Sequence, residues 1–367
     1  MQFVSRAKNG LAVAVLLLTV SNIAAAQHYQ QTNLVSDVPG LAAITDSHLV
    51  NAWGIVHTAS SPWWVNSNGK GQSLLYNGSG VPFPTPATRI IVTIPPVNDD
   101  EHSDPTGIVA NTNTNAFLLS GPGTSARFIF CTEEGTIAAW AGGTTATIKI
   151  PNQGNAIYKG LAINAAQTRL YAANFLTGHV DVFDSSFQPT SVSGGFSDPQ
   201  LPAGYAPFNV QNVGGAIFVT FAKQGEFPDE VDGKGLGFVD KFDADGNLLM
   251  RFQHGPWLDA PWGVALAPSN FGEFSNRLLV GNFGSGQIVA YDATSGEFEG
   301  FLHGPKGRLV ISGLWGIGFG AGNANSGPQN ALFFAAGIDD EKHGLFGMLT
   351  AISDNDENEV ERKQNPH

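Results

Sequence analysis

Apolar residues recur along this chain in short runs bounded by glycine, asparagine and aspartate, and no ten residues between the runs, free of Gly and Pro, keep a 3.6-residue period. That pattern predicts strands and argues against a parallel α/β fold, which needs amphipathic helices between its strands. One five-residue pattern returns at 51–55, 104–108, 157–161, 260–264 and 313–317, each with glycine fourth and an apolar residue fifth. A sixth copy at 206–210 carries Asn209 in the glycine slot. The fourth positions, 54, 107, 160, 209, 263 and 316, are separated by 53, 53, 49, 54 and 53 residues. The repeat is therefore about fifty residues long.

Each copy leads into a second strand, a turn and a third strand, clearest at 170–174 with 178–183 and at 278–282 with 286–291, where alternation of period two reads as half-buried strands. A fourth strand follows in most copies, at 89–94, 145–150, 247–252 and 297–302. Four strands in six repeats predict an all-β, six-bladed β-propeller. The sixth repeat has no outer strand: after 345–352 the chain enters the polar tail 353–367. Residues 32–38, at the other end, are expected to pair with 345–352, closing the ring and covering an exposed sheet edge.

Composition agrees with this architecture. The 367 residues include 45 Gly and 25 Phe but only 13% charged residues, which excludes coiled coils and charged helical bundles and suits a β protein rich in turns. A net charge of -13 opposes binding to phosphate backbones, so no nucleic-acid partner is expected. Cys131 is the only cysteine, so no internal disulfide forms, and a buried inert thiol is expected. Arg6 and Lys8, the apolar run 11–20 and Ala24 to Ala26 read as an export signal over 1–26. The mature chain is expected to start at Gln27, with the propeller over 27–352, no membrane span, and a periplasmic or extracellular location.

The strands ending at Asn174 and Asn282, each with a Gly-x-Val/Ile strand and an aromatic-Asp turn behind it, resemble the blade repeats of the YVTN and NHL propeller groups. The segment over 30–352, with its Asn-Ala-Trp-Gly opening and Phe-x-His-Gly-Pro segments, resembles a family of exported bacterial conserved hypothetical proteins, some with a C-terminal sorting tail. This resemblance implies the fold and no activity. Gluconolactonase-like propellers carry an Asn or Asp metal ligand directly before the innermost glycine. The residues in that slot here, Trp53, Thr106, Lys159, Phe208, Trp262 and Trp315, do not supply one.

Those same residues form one candidate site. If they point inward, Trp53, Lys159, Phe208, Trp262 and Trp315 ring the channel mouth on the top face, the face of the loops that enter the innermost strands. They would then suit an aromatic or sugar ligand with an anionic or carbonyl group for Lys159. The alternative is that the aromatics fill the wedges between blades. A second candidate is a divalent-metal or acid–base site. His254 and His303 occupy the same Phe-x-His-Gly-Pro pentad in adjacent repeats, with Asp259 to orient them, and His102 with Asp104 lies in an acidic run. Against this stand the lack of close ligand spacing and the ease with which such turns bind backbone. No Walker loop, His-Glu-x-x-His, Gly-x-Ser-x-Gly or haem motif occurs. The expected function is capture of a small ligand or partner at the top face, the alternative an extracytoplasmic lyase or hydrolase acting at the same mouth.

Overall fold

The fifty-residue repeat folds into six antiparallel sheets whose innermost strands pack side by side in a closed ring, the last against the first. The computed structural model describes residues 27–97, 101–152, 154–226 and 229–353. The expected export signal, Asp99, Asp100 and the tail from 354 lie outside the described residues.

Blade 1 runs outward through Ala52–Val56, Trp63–Ser67, Gln72–Tyr76 and Ile91–Thr93. Blade 2 follows with Pro105–Ala110, Phe128–Thr132, Ile137–Trp140 and Thr147–Ile150, and blade 3 with Tyr158–Ile163, Arg169–Asn174, His179–Asp184 and Pro189–Thr190. Blade 4 comprises Tyr205–Val213, Ala216–Gln224, Gly237–Phe242 and Leu248–Arg251, with Glu230–Val231 as a side pair on its second strand. Blade 5 contains Pro261–Leu266, Leu278–Asn282, Ile288–Tyr291 and Phe298–Phe301. Blade 6 contains Leu314–Phe319, Ala331–Ile338, His343–Ser353 and, outermost, Gln27–Ser36.

The closing strand is longer at its start than the sequence indicates and ends sooner. Gln27–Ser36 pairs antiparallel with His343–Ser353, from Gln27 opposite Ser353 to Ser36 opposite Leu345, with a bulge between Asn33 and Val35. Asp37 leaves the ladder because its carboxylate accepts from the Gly344 N–H at 2.9 Å and sits 2.7 Å from His343 Nδ1. Tyr29 fastens the strand to blade 5: its hydroxyl donates to the Phe271 carbonyl at 3.0 Å and accepts from the Phe274 N–H at 3.2 Å.

The core is divided among the gaps between blades. Alternate residues of one strand face opposite neighbours: Trp63 and Val65 pack with Phe333 and Phe346 of blade 6, whereas Trp64 packs with Phe128 and Trp140 of blade 2. The middle strands are consequently buried on both faces, not on one as their alternation implies. This is why runs such as Leu278–Asn282 carry almost no polar residue.

The repeat glycine has a specific task at the axis. A Cβ at Gly263 would lie 2.6 Å from the Trp315 carbonyl oxygen, and one at Gly316 would lie 2.7 Å from that of Trp53. Only a residue without a side chain lets neighbouring innermost strands come so close. Blade 4 solves the contact differently, since Asn209 donates its amide to the Trp262 carbonyl of blade 5 at 2.8 Å.

Candidate functional site

Of the six residues preceding these slots none is more than 4% exposed; the Thr106 hydroxyl donates to the Tyr158 carbonyl of blade 3 at 2.6 Å, and Trp53, Phe208, Trp262 and Trp315 cluster at the axis. Their contacts join blades that are not neighbours. Trp53 of blade 1 meets Trp262 of blade 5 edge-on at 6.5 Å, and Phe208 of blade 4 lies 5.6 Å from Trp315 of blade 6. Trp262 Nε1 donates to the Lys159 carbonyl of blade 3 at 2.9 Å. Such contacts are possible only across the channel. The aromatics therefore do not fill the wedges between blades. Neither do they leave an open ring: Trp53 stacks on Trp315 at 3.7 Å, Phe283 stacks on Trp315 at 4.0 Å, and Phe175 packs on Phe208 at 5.5 Å. Together they plug the channel.

Lys159 leads from this plug to the top face. Its Nζ lies 5.5 Å from the Trp53 ring centroid, 2.6 Å from Glu133 Oε1, 3.9 Å from Glu230 Oε2 and 4.0 Å from Asp229 Oδ1. Glu133 comes from the second turn of blade 2, and Asp229 and Glu230 from the corresponding loop of blade 4. Glu341, from that turn in blade 6, accepts from Asn51 Nδ2 at 3.0 Å, while Asn68 Nδ2 donates to the other oxygen of Glu133 at 3.0 Å.

The charges are uneven. Burial alone would lower Lys159, but Glu133 and Glu230 more than offset it and hold the ammonium well above its ordinary value. Burial raises Glu230 although Lys159 opposes it. Glu341 is pushed up to about 7 by burial and by the Glu133 charge, against the Asn51 hydrogen bond. Beside this cluster, Asn51 Oδ1 and the indole N–H groups of Trp53 and Trp315 are buried with no hydrogen-bond partner among the described residues. One cation thus faces three carboxylates, with spare polar atoms next to them.

The other predicted groups are held separately. His254 stacks on Phe238 at 4.4 Å and its Nε2 lies 2.9 Å from the Gly235 carbonyl, which is the backbone-binding alternative. His303 belongs to the short hairpin His303–Gly304 with Gly307–Arg308. Asp259 accepts from the Gly233 N–H at 2.7 Å, and His102 Nδ1 lies 3.4 Å from Asp104 Oδ1. Among the described residues no three His, Cys, Asp or Glu side chains are arranged to hold a metal ion. Cys131 is fully buried, and burial pushes its thiol up to about 12 despite a contact with Thr106 Oγ1 at 3.2 Å. Asn174 and Asn282 brace the loops entering their own blades, and Asn174 Oδ1 also accepts from the Thr177 N–H of the following turn at 3.3 Å. Asn174 Oδ1 accepts from the Ile157 N–H at 3.3 Å and Asn282 Oδ1 from the Asp259 N–H at 2.9 Å.

Glu133, Glu230 and Glu341 are absent from the candidates drawn from sequence, although Glu230 and Glu341 fall inside the acidic runs 226–232 and 339–341. The signal was their position in second-to-third-strand turns of alternate blades, which the repeat register brings to one mouth.

Below the plug, on the opposite side from the carboxylates, lies a cavity of about 360 Å³. It is bounded by the innermost strands from Gly54, Gly107 and Gly316 downward and touches Trp262 alone among the five predicted ligand-binding residues.

No protein-family model matches the chain. Among solved structures it is similar in fold to virginiamycin B lyase from Staphylococcus aureus, with TM-score 0.51, 15% identity, and coverage of 89% of this chain and 100% of that one. At that identity the likeness speaks for the propeller alone. Two curated relatives are uncharacterised proteins of Acanthamoeba polyphaga mimivirus. R648 is 30% identical over 331 residues, covering 86% of this chain and 78% of its own length, and L690 is 30% identical over 333 residues, covering 86% and 84%. These matches correct the expected assignment to an exported bacterial family, because the relatives found are uncharacterised viral proteins. The likeness to YVTN and NHL blades stands, and the chain belongs to the family of the mimivirus proteins R648 and L690.

Proposed function

We propose that this protein is a binding propeller whose top mouth captures a positively charged group, an alkylammonium or guanidinium, against Glu133, Glu230 and Glu341. The observation that carries this is the shortage of positive charge: Lys159 is already matched by Glu133 at 2.6 Å, with Glu230 at 3.9 Å and Asp229 at 4.0 Å beside it, and burial together with the Glu133 charge pushes Glu341 up to about 7. An anionic ligand, expected when Lys159 was seen without its partners, would meet carboxylates first. An incoming ammonium would instead let Glu341 ionise, and would find Asn51 Oδ1 as a free acceptor.

Isothermal calorimetry with spermidine and with arginine amide tests this, using citrate as the anionic control at equal ionic strength. Saturable binding of the amines is expected, tighter at pH 8 than at pH 6 because Glu341 loses its proton between them, and weakened in Glu341→Gln. Equal binding of citrate, or amine binding unchanged by Glu341→Gln, would overturn the reading. Glu341 also favours a second reading, acid–base chemistry at the same mouth, since a carboxyl near 7 is suited to proton transfer at neutral pH. Turnover of an amine substrate, lost in Glu341→Gln while binding persists, would mark that case.

A further inference from the structure

The cavity beneath the plug has a chemistry unlike the mouth above it. Its lining contains no Asp, Glu, Lys or Arg. Its walls are the six innermost strands, and each of these is the edge of its sheet, pairing only with the second strand of its own blade. The axis-facing N–H and C=O groups therefore have no ladder partner. Between them stand aliphatic side chains, among them Ile55, Ile108 and Ile317, and the closed end is bordered by Trp262. Four side-chain amides complete the lining: Asn209 and Asn212 donate to the Trp262 and Ile163 carbonyls at 2.8 Å, and the other two belong to Gln211 and Gln167. Gln211 Oε1 is engaged by the Val264 N–H at 3.2 Å and by Asn209 Nδ2 at 3.5 Å, and Gln167 Oε1 accepts from the Thr112 N–H at 2.7 Å and hydroxyl at 2.9 Å. Each keeps an amide NH2 with no hydrogen-bond partner among the described residues.

A solvent channel open at both ends would have none of this selectivity. This one is blind, because the residues at the level of the plug are buried, with Trp53 meeting Trp262 and Phe208 meeting Trp315 across the axis. Its volume falls in the range of small-ligand pockets. We propose that it is a second binding site, independent of the charged mouth, for an uncharged polyhydroxylated ring of pyranose size. Hydroxyl groups around the ring edge would meet the strand-edge carbonyls, N–H groups and glutamine amides, while its C–H faces pack on the isoleucines and Trp262. A carboxylate or ammonium would lose its hydration in a lining without Asp, Glu, Lys or Arg, where the one histidine, His57, has both ring nitrogens 2.8 Å from backbone carbonyls.

Saturation-transfer NMR and calorimetry on the full chain decide this, using glucose, galactose, mannose and inositol as neutral rings with glucuronate and glucosamine as charged controls. At least one neutral ring should bind saturably and both charged rings far more weakly. Binding should fall by about tenfold in Gln211→Leu, the loss of one hydrogen bond, and disappear in Ala59→Trp, which obstructs the rim at an exposed position without removing a side-chain bond. Glu341→Gln, at the other mouth, should leave it unchanged, which separates failure here from failure of the amine site. Absence of saturable binding by every neutral ring, equal binding of glucuronate, or binding that survives Ala59→Trp would overturn the proposal.

Discussion

Replacing Lys159 by methionine removes the one ammonium that, among the described residues, Glu133 and Glu230 face at contact distance, and leaves these partly buried carboxylates without that counter-charge. A broken buried pair of this kind costs about 3–5 kcal/mol, so Lys159→Met should unfold at a clearly lower temperature in calorimetry. Part of that loss should be recovered at pH 5.5, where Glu230, held above its ordinary value by burial, is more readily protonated. A variant as stable as the parent would show that the cluster is solvated after all. The axial glycines carry a different constraint, steric rather than electrostatic. Gly316→Ala forces a methyl group to within 2.7 Å of the Trp53 carbonyl oxygen, between two strands fixed by their own ladders. Overpacking of this sort costs about 1–3 kcal/mol, to be read from chemical denaturation. Asn209→Gly tests the exception in blade 4, where the lost bond to the Trp262 carbonyl should destabilise even though the repeat consensus is restored.

Among the elements, the closing strand holds the ring through its ladder to His343–Ser353 and through Tyr29 on blade 5. Deleting 27–36 should therefore lower the melting temperature far more than deleting 354–367, and comparable values for the two truncations would refute the closure. This strand was legible in the sequence because a repeat array must resolve its last blade: a sixth copy one strand short, and a spare strand at the other end, leave few ways to pair. The six innermost strands were legible for a similar reason, since the close approach at Gly263 and Gly316 leaves a glycine mark at every copy but one. The second and third strands were placed correctly but read as half-buried, because alternation shows that two faces differ in their neighbours without showing that both are covered. The carboxylate mouth was hidden for the opposite reason. Glu133, Glu230 and Glu341 come from second-to-third-strand turns of unequal length, and only the ring geometry makes them one group. Lys159 was read as a free cation because its partners lie 26 and 71 residues away along the chain.

Across the whole molecule, the plug divides the channel into a charged upper mouth and an uncharged lower cavity, and the excess of negative charge has a consequence for stability. Glu341 is pushed up to about 7 chiefly by burial. Asp240, buried in blade 4, is likewise pushed up to about 7 by burial, with its Arg251 partner opposing and a hydrogen bond to Asp198 adding to the rise. Glu230 is raised as well. A carboxyl whose value is higher in the folded chain than in the unfolded one binds more protons when folded. Its contribution is complete below the unfolded value and is lost as pH rises through the folded value. The three groups act in the same direction, so the melting temperature should fall between pH 5.5 and pH 8 rather than rise as it does where carboxylates are stabilised by paired charges. The decline should be shallower in Glu341→Gln, which removes one of the titrating groups while keeping a partner for Asn51, and shallower again in Asp240→Asn. Spermidine, if it fills the upper mouth, should restore more stability at pH 8 than at pH 5.5, because only the ionised cluster gains from a second cation. A melting temperature that climbs across this interval, or a spermidine effect largest at the acid end, would contradict the charge balance assigned to the mouth.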